Sequence, residues 1–171
     1  MIKIVGAIII LASTSWGGME FSKVLSERPK QLRQLKAALQ SLEAEIMYAH
    51  TPLHEAARRL AEQLSSPLST FFSEFSNKLE QEETTVRDAW SKSLEEIWTS
   101  TAMKQPELEI MKQFGETLGR HDRISQQKQI LLTLSHLERE EAEARNNQMK
   151  YEKMVKSLGV LSGLLIVILL M

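Results

Sequence analysis

The sequence predicts an all-α protein: an antiparallel bundle of five or six helices, flanked by N- and C-terminal transmembrane helices. Three observations predict it. Apolar residues recur at steps of three and four through the middle of the chain, as one buried face of a helix requires. No stretch alternates apolar and polar with the period of two that a half-buried strand would show. Both chain ends are apolar and almost free of charge, and the middle is not. Seven glycines and four prolines in 171 residues are also too few turn formers for a many-stranded sheet.

The first segment, residues 4–19, carries no charged side chain and is flanked by Lys3 and Glu20. As a helix its length of roughly 24 Å falls slightly short of a hydrocarbon core of about 30 Å. The competing reading is a cleaved signal peptide with residues 13–15 as the cut site, although Ser-Thr-Ser matches an A-x-A site poorly. Residues 1–25 are therefore assigned to this segment and its juxtamembrane helix, and residues 26–140 to the bundle.

Each proline stands where a helix can begin, because its missing N–H has no partner in a first turn anyway. After Pro29, the residues Leu32, Leu35, Leu39, Leu42, Ile46 and Ala49 step by 3, 4, 3, 4, 3. After Pro52, with Thr51 as a candidate N-cap, Leu53, Ala56, Ala57, Leu60, Ala61 and Leu64 form a close-packing face. After Pro67, preceded by Ser66, come Leu68, Phe71, Phe72, Phe75 and Leu79. Val86, Ala89, Trp90, Leu94 and Ile97 make a fourth face. After Pro106, Leu108, Met111, Phe114 and Leu118 make a fifth, ended by Gly119 as the left-handed residue past a helix C-terminus. Asp122 offers an N-cap to a sixth helix with Ile124, Ile130, Leu131, Leu134 and Leu137. Beyond Leu137 this helix is polar on nearly all sides, with Glu141–Arg145 and Glu152–Lys156 at the i,i+4 spacing. Residues 141–156 are expected to form a solvated stalk leading into residues 157–171, which are uncharged and apolar on every face.

Charge sets the orientation. Lys23, Arg28, Lys30, Arg33 and Lys36 follow the first apolar segment, and Lys150, Lys153 and Lys156 precede the last. The positive-inside rule then puts the bundle in the cytoplasm and both termini outside. Gly159 and Gly163 form a G-x-x-x-G, and Ser13 and Gly17 repeat the spacing, so these four are candidates for helix packing in the membrane.

No catalytic chemistry is legible. Cysteine is absent, which removes disulfides, thiolate metal sites and cysteine nucleophiles. His50 and His54 are four apart, but Thr51 and Pro52 start a helix between them and separate their faces. No phosphate-binding loop, dinucleotide fingerprint or nucleophile elbow occurs. Lys and Arg number 21 against 22 Asp and Glu, which argues against a nucleic-acid partner. Glu82–Glu83 and Glu140–Glu141 read as solvated charge, Trp90 as core, and Trp98 as a candidate exposed contact. Neither a cofactor nor a metal is expected.

The runs Glu27-Arg28-Pro29, Gln31 through Ile46, Tyr48 and Thr51-Pro52-Leu53 resemble the stage III sporulation protein AB family of endospore-forming bacteria. Phe114-Gly115-Glu116-Thr117-Leu118-Gly119, Gln127-Lys128-Gln129 and Lys156-Ser157-Leu158-Gly159 resemble it too. The turns at Thr51 to Ala56 and at Gly119 are more weakly similar to those of the inner-membrane platform proteins of type II secretion and type IV pilus systems, which are six-helix bundles. The resemblance implies a non-enzymatic membrane protein of the sporulating mother cell, part of the channel-like complex joining it to the forespore. It implies a secretion-type ATPase and other membrane proteins as partners, and it leaves room for a homo-oligomer. Arg58, Arg59, Glu62, Glu138, Arg139 and Glu141 are the polar residues offered as the docking surface. A membrane-anchored signalling protein is the alternative.

Overall fold

The computed structural model describes residues 26–49, 51–81, 84–119 and 123–170. Among these residues every regular element is helical and there is no strand. Helix α1 covers residues 26–44 and widens into a five-residue π-helical turn, Glu45–Ala49. Then follow α2 (Leu53–Gln63), α3 (Leu68–Leu79), α4 (Val86–Ile97), a short 3₁₀ turn (Trp98–Ser100), α5 (Gln105–Gly115) and α6 (Arg123–Leu170). The chain divides into two compact units. One is Arg28–Ala142; the other holds the two chain ends, of which residues 26–27 and 143–170 are described.

The first unit is a helical bundle in which each short connection returns the chain to its neighbour, so that α2 packs on α3, α3 on α4 and α4 on α5. Helices α1 and α6 run antiparallel. Glu43 near the end of α1 accepts from Gln127 near the start of α6 at 3.0 Å, while Lys36, earlier in α1, reaches Glu141, later in α6, at 3.1 Å. The heptad seam of α1 is the inner wall: Leu32, Leu35, Leu39 and Leu42 are fully buried. On α2, Ala56 and Ala57 sit against α3, where a larger side chain would hold the backbones apart.

The centre of α3, α4 and α5 is aromatic. The Trp90 ring lies 4.9 Å from both Phe71 and Phe75 and 5.2 Å from Phe114, each edge to face, the arrangement the ring quadrupoles favour. Its indole N–H donates to the Met111 carbonyl at 2.8 Å, so the polar edge of a fully buried ring is satisfied. Gly115 makes this possible. A Cβ there would come within 2.9 Å of Trp90 Cγ and Nε1, and closer still to Cδ1. Gly119 has φ +83°, as expected of the residue that turns the chain after α5.

Several expectations need correction. The chain is already helical at residue 26, so Pro29 lies within α1 and does not open it. Thr51 and Ser66 do not cap. The N-caps are Pro52 and Pro67, without side-chain bonds, and the Thr51 hydroxyl donates to Glu45 instead. Capping by Thr85, whose hydroxyl accepts from the Asp88 N–H at 3.1 Å, went unpredicted. On α6, Ile130, Leu134 and Leu137 are buried, but Ile124 and Leu131 are 77% and 53% exposed. The inner face of α6 runs instead through Gln126, Ile130, Thr133, Leu137 and Glu140, with alternate seam positions polar. Asp122 lies outside the described residues, as does the whole segment 1–25. Residues 157–170 are the end of α6, and among the described residues no helix is long and apolar enough to cross a membrane.

Candidate functional site

The six polar residues offered as a docking surface do not share one environment. Arg58, Arg59 and Glu62 are exposed on the outer face of α2. Arg58 and Glu62, with Ala61 from α2 and Ser69, Thr70 and Ser73 from α3, line a shallow open groove. Arg59 turns the other way and ties α2 to the π-helical turn, bonding Glu55 at 2.8 Å and Glu45 at 3.5 Å. The hydrogen bond to Glu55 and the charges of Glu55 and Glu45 hold its guanidinium above its already high ordinary value. The Thr51 hydroxyl shares the Glu45 carboxylate. The turn quoted for its resemblance to platform proteins is thus held by one acid that collects a hydroxyl and a guanidinium.

On α6, Glu138 and Arg139 are exposed, with side chains 75% and 76% accessible. Glu141 is not a surface residue. It is buried, accepts from Lys36 Nζ at 3.1 Å and lies 3.8 Å from Arg33 Nε. The expected i,i+4 partner, Arg145, is exposed, and the carboxylate faces α1 instead. Glu140 is buried as well, so the Glu140–Glu141 pair read as solvated charge points into the bundle. Trp98 is half-buried at the start of the 3₁₀ turn.

Sequence reasoning missed the most buried charge among the described residues. Glu107, in the first turn of α5, is fully buried. One of its oxygens receives Arg28 of α1, at 2.7 Å from Nε and 2.6 Å from Nη2. The other accepts the Lys104 backbone N–H at 2.9 Å and so caps α5. The same guanidinium reaches Glu140 of α6 at 3.3 Å. Three helices therefore meet on one side chain. A second polar tie lies one turn along α1, where buried Gln31 accepts the Ala102 N–H at 2.8 Å. A buried cation and two buried anions are tolerated because each finds a directional partner. The signal available beforehand was positional: Arg28, Gln126, Thr133 and Glu140 all fall on the a/d spacing of their helices' buried seams, and Gln31 flanks the α1 seam beside Leu32.

Gly159 and Gly163 lie within α6, and Ser13 and Gly17 lie outside the described residues. No cluster of acids and histidines able to hold a metal ion occurs among the described residues, and His50 is outside them.

The model of the family described as stage III sporulation protein AB matches residues 3–171. The chain belongs to the stage III sporulation protein AB family. It is 56% identical over 171 residues to stage III sporulation protein AB of Bacillus subtilis (strain 168), covering the whole of both chains. A solved structure of a stage III sporulation protein AB superposes with a TM-score of 0.70 at 56% identity, over 72% of this chain and 98% of that one. The family carries a sporulation name and not that of an activity.

Proposed function

We propose that this chain is a non-enzymatic component of the sporulation channel complex, anchored in the mother-cell membrane. Its bundle faces the cytoplasm and docks a secretion-type ATPase. The observation that carries this reading is the continuity of α6. Arg123–Leu170 is one helix that begins in the bundle, packs Ile130, Leu134 and Leu137 into its core, and ends in fourteen consecutive uncharged residues, 157–170. The basic residues Lys150 and Lys153 are exposed just before that end and suit a cytoplasmic leaflet of anionic lipids. The exposed polar residues Arg58, Glu62, Glu138 and Arg139 are the surface offered to the complex.

Copurification tests the docking role. The secretion-type ATPase is expected to be retained by the full chain in detergent. No retention, together with no change in ATPase location when the chain is deleted, overturns it. Cysteine labelling tests the anchoring: single cysteines beside Ile2 and beside Met171 are expected to react with an impermeant thiol reagent in intact cells. Protection of both overturns the orientation.

A further inference from the structure

In the sequence the heptad seam of α1 runs on through Ile46 and Ala49, but burial along it stops at the π-helical turn Glu45–Ala49. Leu32, Leu35, Leu39 and Leu42 are fully buried. Ile46 and its neighbour Met47 are both half-buried, and Ala49 is exposed. Bonding geometry accounts for the break. In a π-helix each N–H bonds the carbonyl five residues back, and in an α-helix the carbonyl four back. Across the turn the helix face therefore drifts by about one residue position, roughly 100°. Continued as an α-helix, the steps from Leu39 and Leu42 would carry Ile46 and Ala49 inward and turn Met47 out. The 3,4 spacing thus encodes one register for this segment, and the structure holds another.

Side chains hold the wide turn. Glu45, its first residue, accepts from the Thr51 hydroxyl beyond its end and from Arg59 of α2 at 3.5 Å. Glu55 steadies the same guanidinium at 2.8 Å. The Arg59 and Glu45 side chains are 49% and 27% accessible, so solvent screens the pair and the clamp is weak. A weak clamp set against a rare bonding pattern leaves the two registers close in free energy.

We infer that the end of α1 is a two-state element, π-helical while Glu45 is clamped and α-helical when the clamp opens. Opening seats Ile46 and Ala49 on the inner face, expels Met47 and swings the exposed Tyr48 round the helix. The clamp can be opened from outside. About half of the Arg59 side chain is accessible, so an acidic group that takes the guanidinium releases Glu45 and favours the α-helical register.

The chain has no cysteine, so thiol labelling tests the inference directly. Met47→Cys and Ala49→Cys are made singly in the full chain, each alone and each with Arg59→Gln, Glu45→Ala or Thr51→Val. With the clamp intact, the thiol at position 49 is expected to react faster than the thiol at position 47. Opening the clamp is expected to slow labelling at position 49 by about tenfold and to speed it at position 47, as a shift of most molecules to the second register requires. Opposite changes at the two positions distinguish a change of register from fraying of the helix end, which exposes both. Thr51, Glu45 and Arg59 are none of them buried, so an unchanged thermal unfolding midpoint will show that the variants fold. Thr51→Val removes only a hydroxyl and keeps the test open if a charge variant does not fold. Faster labelling at both positions overturns the inference. So does a ratio of the two rates that stays the same in every folded clamp variant.

Discussion

The bundle is held by two regions built on opposite principles. In one, α3, α4 and α5 close around Trp90 with four phenylalanines, and the indole N–H of the buried ring bonds a carbonyl. In the other, α1, α5 and α6 close around Arg28 with two carboxylates, backed by Lys36 on Glu141. Edge-to-face packing spreads its geometric preference over several weak ring contacts. A guanidinium fork fixes position and angle, because its hydrogen bonds weaken steeply off line. The difference teaches how α5 is held in this fold: along its length by close ring contacts, and at its first turn by charge-assisted hydrogen bonds.

Breaking the ionic region should give the largest effect. Arg28→Met leaves Glu107 fully buried without its cation and also loosens the α5 cap. Removing one partner of such a group typically costs about 3–5 kcal/mol. Replacing Arg28, Glu107 and Glu140 together by apolar residues of similar volume should recover most of that loss, since a buried ion group gains little net stability. Urea unfolding of the two variants measures both. A triple variant no more stable than Arg28→Met would mean the cluster adds stability beyond mutual neutralisation.

Breaking the aromatic region from its edge comes next. Gly115→Ala drives a methyl into the Trp90 ring, and the backbone carbonyl at Met111 holds that ring in place. Overpacking of this kind costs about 1–3 kcal/mol. Tryptophan fluorescence should change with it. A variant of unchanged stability and spectrum would show that the ring has room to move.

The two regions were unequally legible in the sequence. Phe71, Phe72, Phe75, Trp90 and Phe114 stand on apolar stripes that announce a core, and all are buried. Gly115, between Phe114 and Gly119, carries no mark of its role, because a close approach depends on a partner twenty-five positions away. Arg28, Gln31, Gln126, Thr133 and Glu140 sit on the inner faces of α1 and α6 but are polar, so a search for apolar periodicity passes over them. The same search promoted Ile124 and Leu131, which are apolar but lie on the outer seam of α6. Two seams on one helix, each half polar, look like one wide face from composition alone. Glu141 was placed on a stalk because its sequence neighbours are charged; only the register of α1 against α6 shows that it faces Lys36.

Ser93 sharpens the comparison at smaller scale. It is fully buried on α4, and its hydroxyl has no hydrogen-bond partner among the described residues. The aromatic side of the bundle therefore carries one unsatisfied polar group, and the ionic side satisfies its own. Ser93→Ala removes the unmet hydroxyl and leaves almost the same volume, so it should be neutral or stabilising by up to about 1 kcal/mol. A clear loss of stability on thermal unfolding would mean that the hydroxyl is bonded in solution.

The smallest effect is expected at the outer tie between α3 and α4. Lys78 bonds Glu96 at 2.8 Å and Glu74 at 3.3 Å. The hydrogen bond to Glu96 raises its ammonium above the ordinary lysine value; burial opposes this and Glu74 adds to it. A cation whose folded value is raised stabilises the fold fully at pH below its unfolded value, about 10.4, and loses that contribution as pH climbs through the folded value. Both carboxylates are partly exposed, so the pair is worth only about 0.5 kcal/mol. Urea midpoints of the natural chain and of Lys78→Met should differ by a constant amount from pH 7 to about pH 10 and converge above it. A difference that persists undiminished above about pH 11 would assign it to packing of the lysine stem and not to its charge.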